Sequence, residues 1–446
     1  MALTSEVQSS VDYLESQLAA TSAADVLNDR YYEGSQRLEH IGLAVPPELR
    51  RFETAANWCR TTVDAVANRQ KMKAFYLPGE EVASEDLMEG WDANNLGSES
   101  QILGKEKLIL GRGFVSVGSN EEDPDHPLIQ VESATEIVAI VNRRFRRMDA
   151  AARFYDRPAY GGPAKAATLY FPDQTLWLER GPKGWVIVDR DDHKLGRVPL
   201  VMFLNRRRVG RWQGVSEMKD VIPFVDAAAR TLTNLQIAGE THSVPQKYVL
   251  GMSKEDFMDK NNNPIPAWEA YFTAIWANQN KDAKVGQFTA SDLKNFHDTT
   301  NHYGQLVSGI TGLPIRYFGQ NSANPPTEGA IVADESRLIQ NVEAKNTEDG
   351  AGWGHVMGLY ERFRTGKWVE GNRIATEWYN PATPTQAQTA DAVTKMYANG
   401  DGLISRESSW DELGWSEAKK KREWERIEKE SRMALDSLEK QVAEVV

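Results

Sequence analysis

Few residues in this chain have the types and spacing that chemistry needs. In PDQTLWLERGPK, Asp173 and Glu179 could share a metal while a lysine sits near an attacking water, as in a metal-dependent nuclease. Lys183, however, lies across a tight turn, on the wrong side for that role. The run DRDDHKLG, which begins at Asp189, could bind Mg²⁺ because adjacent carboxylates suit hard cations; it also reads as a solvated turn between strands. His297 and His302 are five apart, on different helical faces, whereas a metal pair needs a separation of three or four. Cys59 is the single cysteine, which leaves no internal disulfide and no cysteine-based metal site. It falls in the helical stripe Phe52, Ala56, Cys59, Val63 and Val66, which makes it a packed thiol. No phosphate-cradling G-x-x-x-x-G-K-[ST] occurs, GRGFVSVG has the wrong spacing for a dinucleotide, and GVSEM lacks the second glycine of a nucleophile elbow. No cofactor, metal or catalytic site is expected. The basic run Arg143-Arg144-Phe145-Arg146-Arg147 pairs guanidinium groups with an aromatic ring and could hold a nucleic acid. The favoured reading is a solvated edge or a subunit contact that pairs with acidic neighbours.

The elements that would position these residues change character along the chain. The first 75 residues read as helical, with a capping-box start at Ser22 and Asp25 and a stop at Gly34. From Gly111 to Val201 the pattern turns to strands: Gly113–Val117, Ile137–Val141, Ala167–Phe171, a hairpin in TLWLERGPKGWVIVD and a buried strand in GRVPLVMFLN. Helical periodicity returns at Ser216, with Val221, Ile222, Val225, Ala229, Leu232 and Gln236 on one face and Pro223 either kinking the run or setting its true start. A mixed segment from Val244 to Phe288 follows, then a helix over about Ser291–Thr311. A long helix from Thr327 is expected to kink or break at the cluster Gly350, Gly352 and Gly354. IATEWYN reads as a strand, and further helices start at Thr383, Ser405 and Ser416.

Composition narrows the classes. The net charge of −12 over 446 residues argues against a general grip on nucleic acid but permits a local contact. The 13 tryptophans would serve core packing or subunit faces. The N-terminus lacks the regions of a signal peptide, and the apolar run Val198–Leu204 is too short to span a bilayer, so an intracellular assembly site and no membrane partner are expected. One connector stands out: GLPIRYFGQNSANPPTEGA sets Tyr317, Phe318, Gln320, Asn321 and Asn324 between two long helical patterns.

Taken in order, NDRYYEGSQRL, NWCRTTVDAVANR, LGRGFVSV, GRVPLVMFLNR with GVSEMKDVIPFVDAAARTL, PQKYVLG, ITGLP, NPPTEGAIVADESRL, QTADAVTKMYANG and SRESSWDELGWS resemble the SPP1-like portal proteins of tailed bacteriophages. The resemblance covers almost the whole chain, although Pro326-Thr327 replaces the usual small-Ser pair. It implies an α+β portal fold with an α/β wing, a two-helix stem, a small α/β clip, a long kinked helix and a helical crown. By position, residues 1–215 would be the wing, 216–242 stem helix 1, 243–290 the clip, 291–312 stem helix 2, 313–326 the tunnel loop, 327–384 the long kinked helix and return to the wing, and 385–446 the crown. The implied function is structural: a dodecameric ring of subunits at one capsid vertex, a channel for DNA packaging and ejection. Implied partners are further copies of the chain, the terminase large subunit, the head–tail connector (adaptor), the major capsid protein and scaffold, and double-stranded DNA. The implied location is the virion, with assembly in the host cytoplasm. Tyr317, Phe318, Gln320, Asn321 and Asn324 would line the channel, where neutral donors such as Gln320 and Asn321 touch phosphates without capturing them, with Thr327 capping the helix behind them. A Mg²⁺-dependent nuclease using Asp173, Glu179 and the Asp189 cluster, or a minor capsid protein that forms no ring, are the alternatives.

Overall fold

The structure is a computed structural model that describes residues 3–36, 56–158, 162–182, 184–243, 247–251, 284–287, 293–319, 328–370, 373–382, 386–415 and 417–445. The chain divides into two compact units, Met1–Pro381 and Ala382–Val446. The mixed helix-and-sheet class is as expected.

In the first unit, helix α1 (Ser5–Glu33) runs without interruption and stops at Gly34. The expected start at Ser22 is therefore wrong. Asp25 does not cap a helix; it points inward, 4% exposed, and holds Arg112 at 2.7 Å. Val11, Leu14 and Leu18 follow the three-and-four spacing of a buried helical stripe and pack on a five-stranded sheet. That sheet is an antiparallel meander of β4 (Ile137–Asn142), β5 (Arg147–Tyr155), β6 (Ala166–Tyr170), β7 (Thr175–Gly181) and β8 (Gly184–Asp191). The hairpin read from TLWLERGPKGWVIVD is present, with Gly181 opposite Gly184. Cross-strand pairs such as Leu169 opposite Leu176 place apolar residues on the face that α1 covers.

A second, three-stranded sheet has the order β3 (Leu128–Glu132), β2 (Arg112–Gly118), β9 (Leu200–Leu204). Against it packs an aromatic cluster: Trp353 meets Trp91 at 4.9 Å and Phe203 at 5.3 Å, and Phe75 meets Trp91 at 5.4 Å. Such pairs each contribute about 0.5–1.5 kcal/mol beyond burial. Trp58, Trp91, Trp185 and Trp353 are all buried, so these tryptophans serve the core rather than a subunit face. Helix α2 (Trp58–Ala67) starts at Asn57, whose side chain accepts the Arg60 amide at 3.1 Å. Strand β1 (Met72–Tyr76) pairs with β12 (Ala375–Trp378), so the expectation of helix through residue 75 fails at its end. Helices α3 (Glu85–Ala93) and α4 (Leu96–Leu110) complete this part.

Helix α5 (Ile222–Ser243) has Pro223 in its first turn, where a missing amide costs nothing. It packs beside α6 (Lys294–Thr311), which begins three residues later than expected. Between them, β10 (Lys247–Leu250) pairs with β11 (Lys284–Gln287). Helix α7 (Glu328–Thr365) is continuous over 38 residues. Its glycines do not break it. A Cβ at Gly352 would run into the Phe203 ring, and one at Gly350 into Thr376, so both glycines permit close approach to the sheets. Phe52, Thr327 and the Thr383-Pro384-Thr385 start lie outside the described residues.

The second unit contains α8 (Gln386–Tyr397), α9 (Arg406–Glu412) and α10 (Glu417–Val445). Ser405 caps α9, accepting the Ser408 amide at 3.2 Å. Trp410 stacks on Trp415 at 5.5 Å and meets Trp424 edge-on at 5.2 Å.

Candidate functional site

The described part of the connector after α6, residues 312–319, is tightly bonded. Helix α6 ends at Gly312, whose φ of 74° is the left-handed region that favours glycine. Ser308 then donates its hydroxyl to the Leu313 carbonyl at 2.7 Å. Pro314 opens a 3₁₀ turn over Ile315–Phe318, closed by the Tyr317 amide on the Pro314 carbonyl at 3.0 Å. The chain leaves this turn at Gly319, again with positive φ (85°).

Three side chains of the turn are tied down. Phe318 is 7% exposed and meets Trp58 edge-on at 6.1 Å. Arg316 reaches forward to the start of α7, to Asp334 at 2.7 Å and also to Glu335. The Tyr317 hydroxyl accepts from Arg69 at 3.1 Å and donates to Glu335 at 3.4 Å. Arg69 closes the set by pairing with Glu335 at 2.9 Å and donating to the Pro381 carbonyl at 3.1 Å. One nearly buried carboxylate thus holds both ends of the connector together.

The structure gives Tyr317 and Phe318 partners that the sequence did not announce. Phe318 is a core residue and Tyr317 belongs to an ion network, because both side chains find partners within the same chain. Neither presents an open, solvated face. Gln320, Asn321 and Asn324 lie outside the described residues.

The same face of α7 continues as a polar spine. After Leu338 and Val342, both buried, come Lys345, Asn346 and Asp349, all less than a tenth exposed. Lys345 bonds Asn205 at 2.7 Å and Glu217 at 3.1 Å. Burial opposes charge on Glu217, but Lys345 and the Asn205 amide outweigh it and hold the carboxyl below its usual range. Burial also pulls the Lys345 ammonium below the ordinary lysine value, with Glu217 opposing. Asp349 pairs with Lys107 of α4 and accepts from Gln70 at 2.8 Å. Each buried charge meets a different element, so together they fix the position of α7 along its axis. Buried pairs of this kind specify geometry more than they add net stability.

The residues considered for catalysis do not converge. The Asp173 carboxylate accepts the Gly196 amide at 3.0 Å and its carbonyl accepts the Lys194 amide, which makes it a turn-closing residue. Glu179 lies four residues into β7 from Thr175, roughly 13 Å along the strand, and is exposed. Asp189 accepts the amide of Arg190, and Arg190 pairs with Asp192 at 2.7 Å. Lys183 lies outside the described residues. Among the described residues, no group of three or more His, Cys, Asp or Glu could hold a metal ion. His297 and His302 are both exposed on α6. Cys59 is fully buried and its thiol is pushed up to about 12, first by burial and then by the Asp226 charge. Arg143–Arg147 form the tip of the β4–β5 hairpin, where Arg144 and Arg147 flank the exposed Phe145 ring at 5.4 and 5.3 Å. No described helix is long and apolar enough to cross a membrane.

Residues 26–436 match the family model described as phage portal protein, SPP1 Gp6-like. The chain belongs to this family of phage portal proteins. The portal protein of Mycobacterium phage D29 is 36% identical over 423 residues, covering 92% of this chain and 86% of that protein. The portal protein of Mycobacterium phage L5 is 34% identical over the same length and coverage. Among solved structures, a chain from the virion of a native gene transfer agent particle aligns with a TM-score of 0.49 and 12% identity, over 83% of this chain and 93% of that one. A chain from the neck of the native particle, computed with C12 symmetry, aligns with a TM-score of 0.45 and 12% identity, over 84% and 94%. In this chain the clamp formed by Arg69, Arg316, Tyr317 and Glu335 joins the 3₁₀ turn to α7. Sequence reading missed this clamp. Its signal was the placement of Glu335, Lys345 and Asp349 on the helical face that also holds Leu338 and Val342.

Proposed function

We propose that this portal-family chain closes with copies of itself into a ring of about twelve subunits at one capsid vertex and acts as a structural channel rather than an enzyme. The ring passes double-stranded DNA in during packaging and out during ejection. It docks the terminase large subunit during filling and the head–tail connector afterwards, in contact with major capsid protein and scaffold. Its place is the virion, after assembly in the host cytoplasm. The observation that carries this reading is the family match over residues 26–436.

In this reading α5 and α6 form the stem, the segment between them the clip, and Ala382–Val446 the crown. Residues 313–326 form the tunnel loop, with Gln320, Asn321 and Asn324 as its DNA-facing groups. The clamp at Glu335 supports that assignment, because a loop that must hold its position against moving DNA needs a rigid base. Neutral amides suit passage, since each lysine or arginine on a phosphate would release counterions and tighten the grip. Negative-stain images of the purified protein test the ring: closed rings are expected, and a population of monomers would overturn it. Gln320→Lys with Asn321→Lys tests the loop. Slower packaging or ejection is expected, and unchanged infection would remove the DNA-facing role.

A further inference from the structure

The chain is acidic overall, yet the loop after β9 is strongly basic. Residues 206–211 read RRRVGR, and all six are exposed. Arg206, Arg207, Arg208, Arg211 and Lys219 line a cleft of about 400 Å³ in which Asp220 is the one carboxylate. Asp220 neutralises Arg206 at 2.8 Å. Among the described residues, no carboxylate lies within ion-pair distance of Arg207, Arg208, Arg211 or Lys219. Arg207 stacks on Trp212 at 4.7 Å, and Val209 is fully exposed. The neck of this loop is rigid. Buried Asn205 donates its amide to the Gly111 carbonyl at 2.9 Å and accepts the Val215 amide at 3.1 Å. Its side chain donates to the Val215 carbonyl at 2.8 Å.

The loop joining β2 to β3 has the opposite character. Glu121, Glu122, Asp123 and Asp125 are exposed. The Asn120 side chain holds the loop shape: it accepts the Glu122 and Asp123 amides at 3.1 and 3.3 Å and donates to the His126 carbonyl at 3.0 Å. Asp123 is engaged with His126 at 2.7 Å. Among the described residues, Glu121, Glu122 and Asp125 have no cation within ion-pair distance.

Strand register places these loops apart. Leu204, just before the basic loop, pairs with Arg112 at the start of β2. Leu128, just after the acidic loop, pairs with Gly118 at the end of β2. The two loops therefore project from opposite ends of one three-stranded sheet, separated by roughly 20 Å of strand. We propose that they are the two halves of a contact between neighbouring copies of this chain, with the basic loop of one copy docking on the acidic loop of the next. This rests on the ring reading above. A head-to-tail ring needs two different, mutually complementary patches on each subunit, held at a fixed separation. Opposite charges on exposed loops steer encounter and set register. DNA suits the basic loop alone and leaves the acidic loop without a role.

Charge swapping tests the proposal, with native mass as the readout at physiological salt. Arg207→Glu with Arg208→Glu and Arg211→Glu should lower the ring fraction at least tenfold, and so should Glu121→Arg with Glu122→Arg and Asp125→Arg. The six-fold swap in one chain restores complementarity and should restore rings. A neutral set, Arg207→Gln with Arg208→Gln and Arg211→Gln, should give an intermediate loss without adding like charges. Far-UV circular dichroism should stay unchanged throughout, since every altered side chain is exposed. One-sided variants that still form rings as well as the wild type, or a folded swap that stays monomeric, overturn the proposal while leaving the ring reading intact. Normal rings with lost binding to duplex DNA overturn it in favour of a DNA contact. A wild type that forms no ring overturns the ring reading and this contact together.

Discussion

Gly352→Ala separates a packing role from a hinge role for the glycine cluster in α7. A methyl at this position runs into the ring of Phe203. That ring is 3% exposed and packs on Trp353 at 5.3 Å, and its backbone lies opposite Gly113 in the sheet, so it has nowhere to retreat. Overpacking of this kind costs about 1–3 kcal/mol. Against it stands the helix-interior preference of alanine over glycine, about 0.8–1.0 kcal/mol. The net expectation runs from near zero to a loss of about 2 kcal/mol. Gly104→Ala in α4 is the control, since its nearest foreign atom is the Gln70 Oε1 at 3.9 Å. It should gain up to about 1 kcal/mol from propensity alone. Urea unfolding reads both: the Gly352 variant should have a lower midpoint than the Gly104 variant, by the equivalent of about 1–3 kcal/mol, with unchanged slopes. If Gly352→Ala stabilises as much as Gly104→Ala, the close contact is absent and the glycines serve flexibility after all.

Other consequences follow from the buried charges and the thiol. Asp349→Leu leaves Lys107 buried without its partner and should cost about 3–5 kcal/mol, whereas Lys107→Met combined with Asp349→Leu should recover most of the loss in the same unfolding assay. Glu217 has a folded pKa below its unfolded value, so its stabilising contribution is full above the unfolded carboxylate value of about 4.3 and is lost as pH falls through the folded value. Glu217→Gln should therefore flatten the acid limb of a stability-versus-pH curve below that point, and an unchanged limb would contradict the pairing with Lys345. Cys59, buried with its thiol pushed up to about 12, should resist thiol reagents at neutral pH until the protein is denatured; rapid labelling of the native protein would mean that α2 is not packed as described.

Where local pattern and tertiary packing agree, the sequence announces the structure. The hairpin at Gly181–Gly184, the late start of α5 at Pro223 and the stop of α1 at Gly34 each follow from residues whose backbone preferences need no distant partner. The failures share a different cause. Asp25 resembles a helix cap locally but is recruited by Arg112, 87 residues away. Gly350 and Gly352 resemble helix breakers locally but admit Thr376 and Phe203. Phe318 sits in a polar connector and reads as exposed, yet Trp58 draws it into the core. The clamp at Glu335 joins residues from α7, the 3₁₀ turn and the chain just after α2, so no local window contains it. The charge contrast of the loops at 121–125 and 206–211 is plain in sequence, but their placement at opposite ends of one sheet appears only from strand register.

The most direct test of the central claim is the native mass of the purified full-length protein. A ring of about twelve copies of the 50.0-kDa chain predicts a dominant species near 600 kDa. A single species at the monomer mass, across physiological protein and salt concentrations, would contradict the account of this chain as a ring-forming portal subunit.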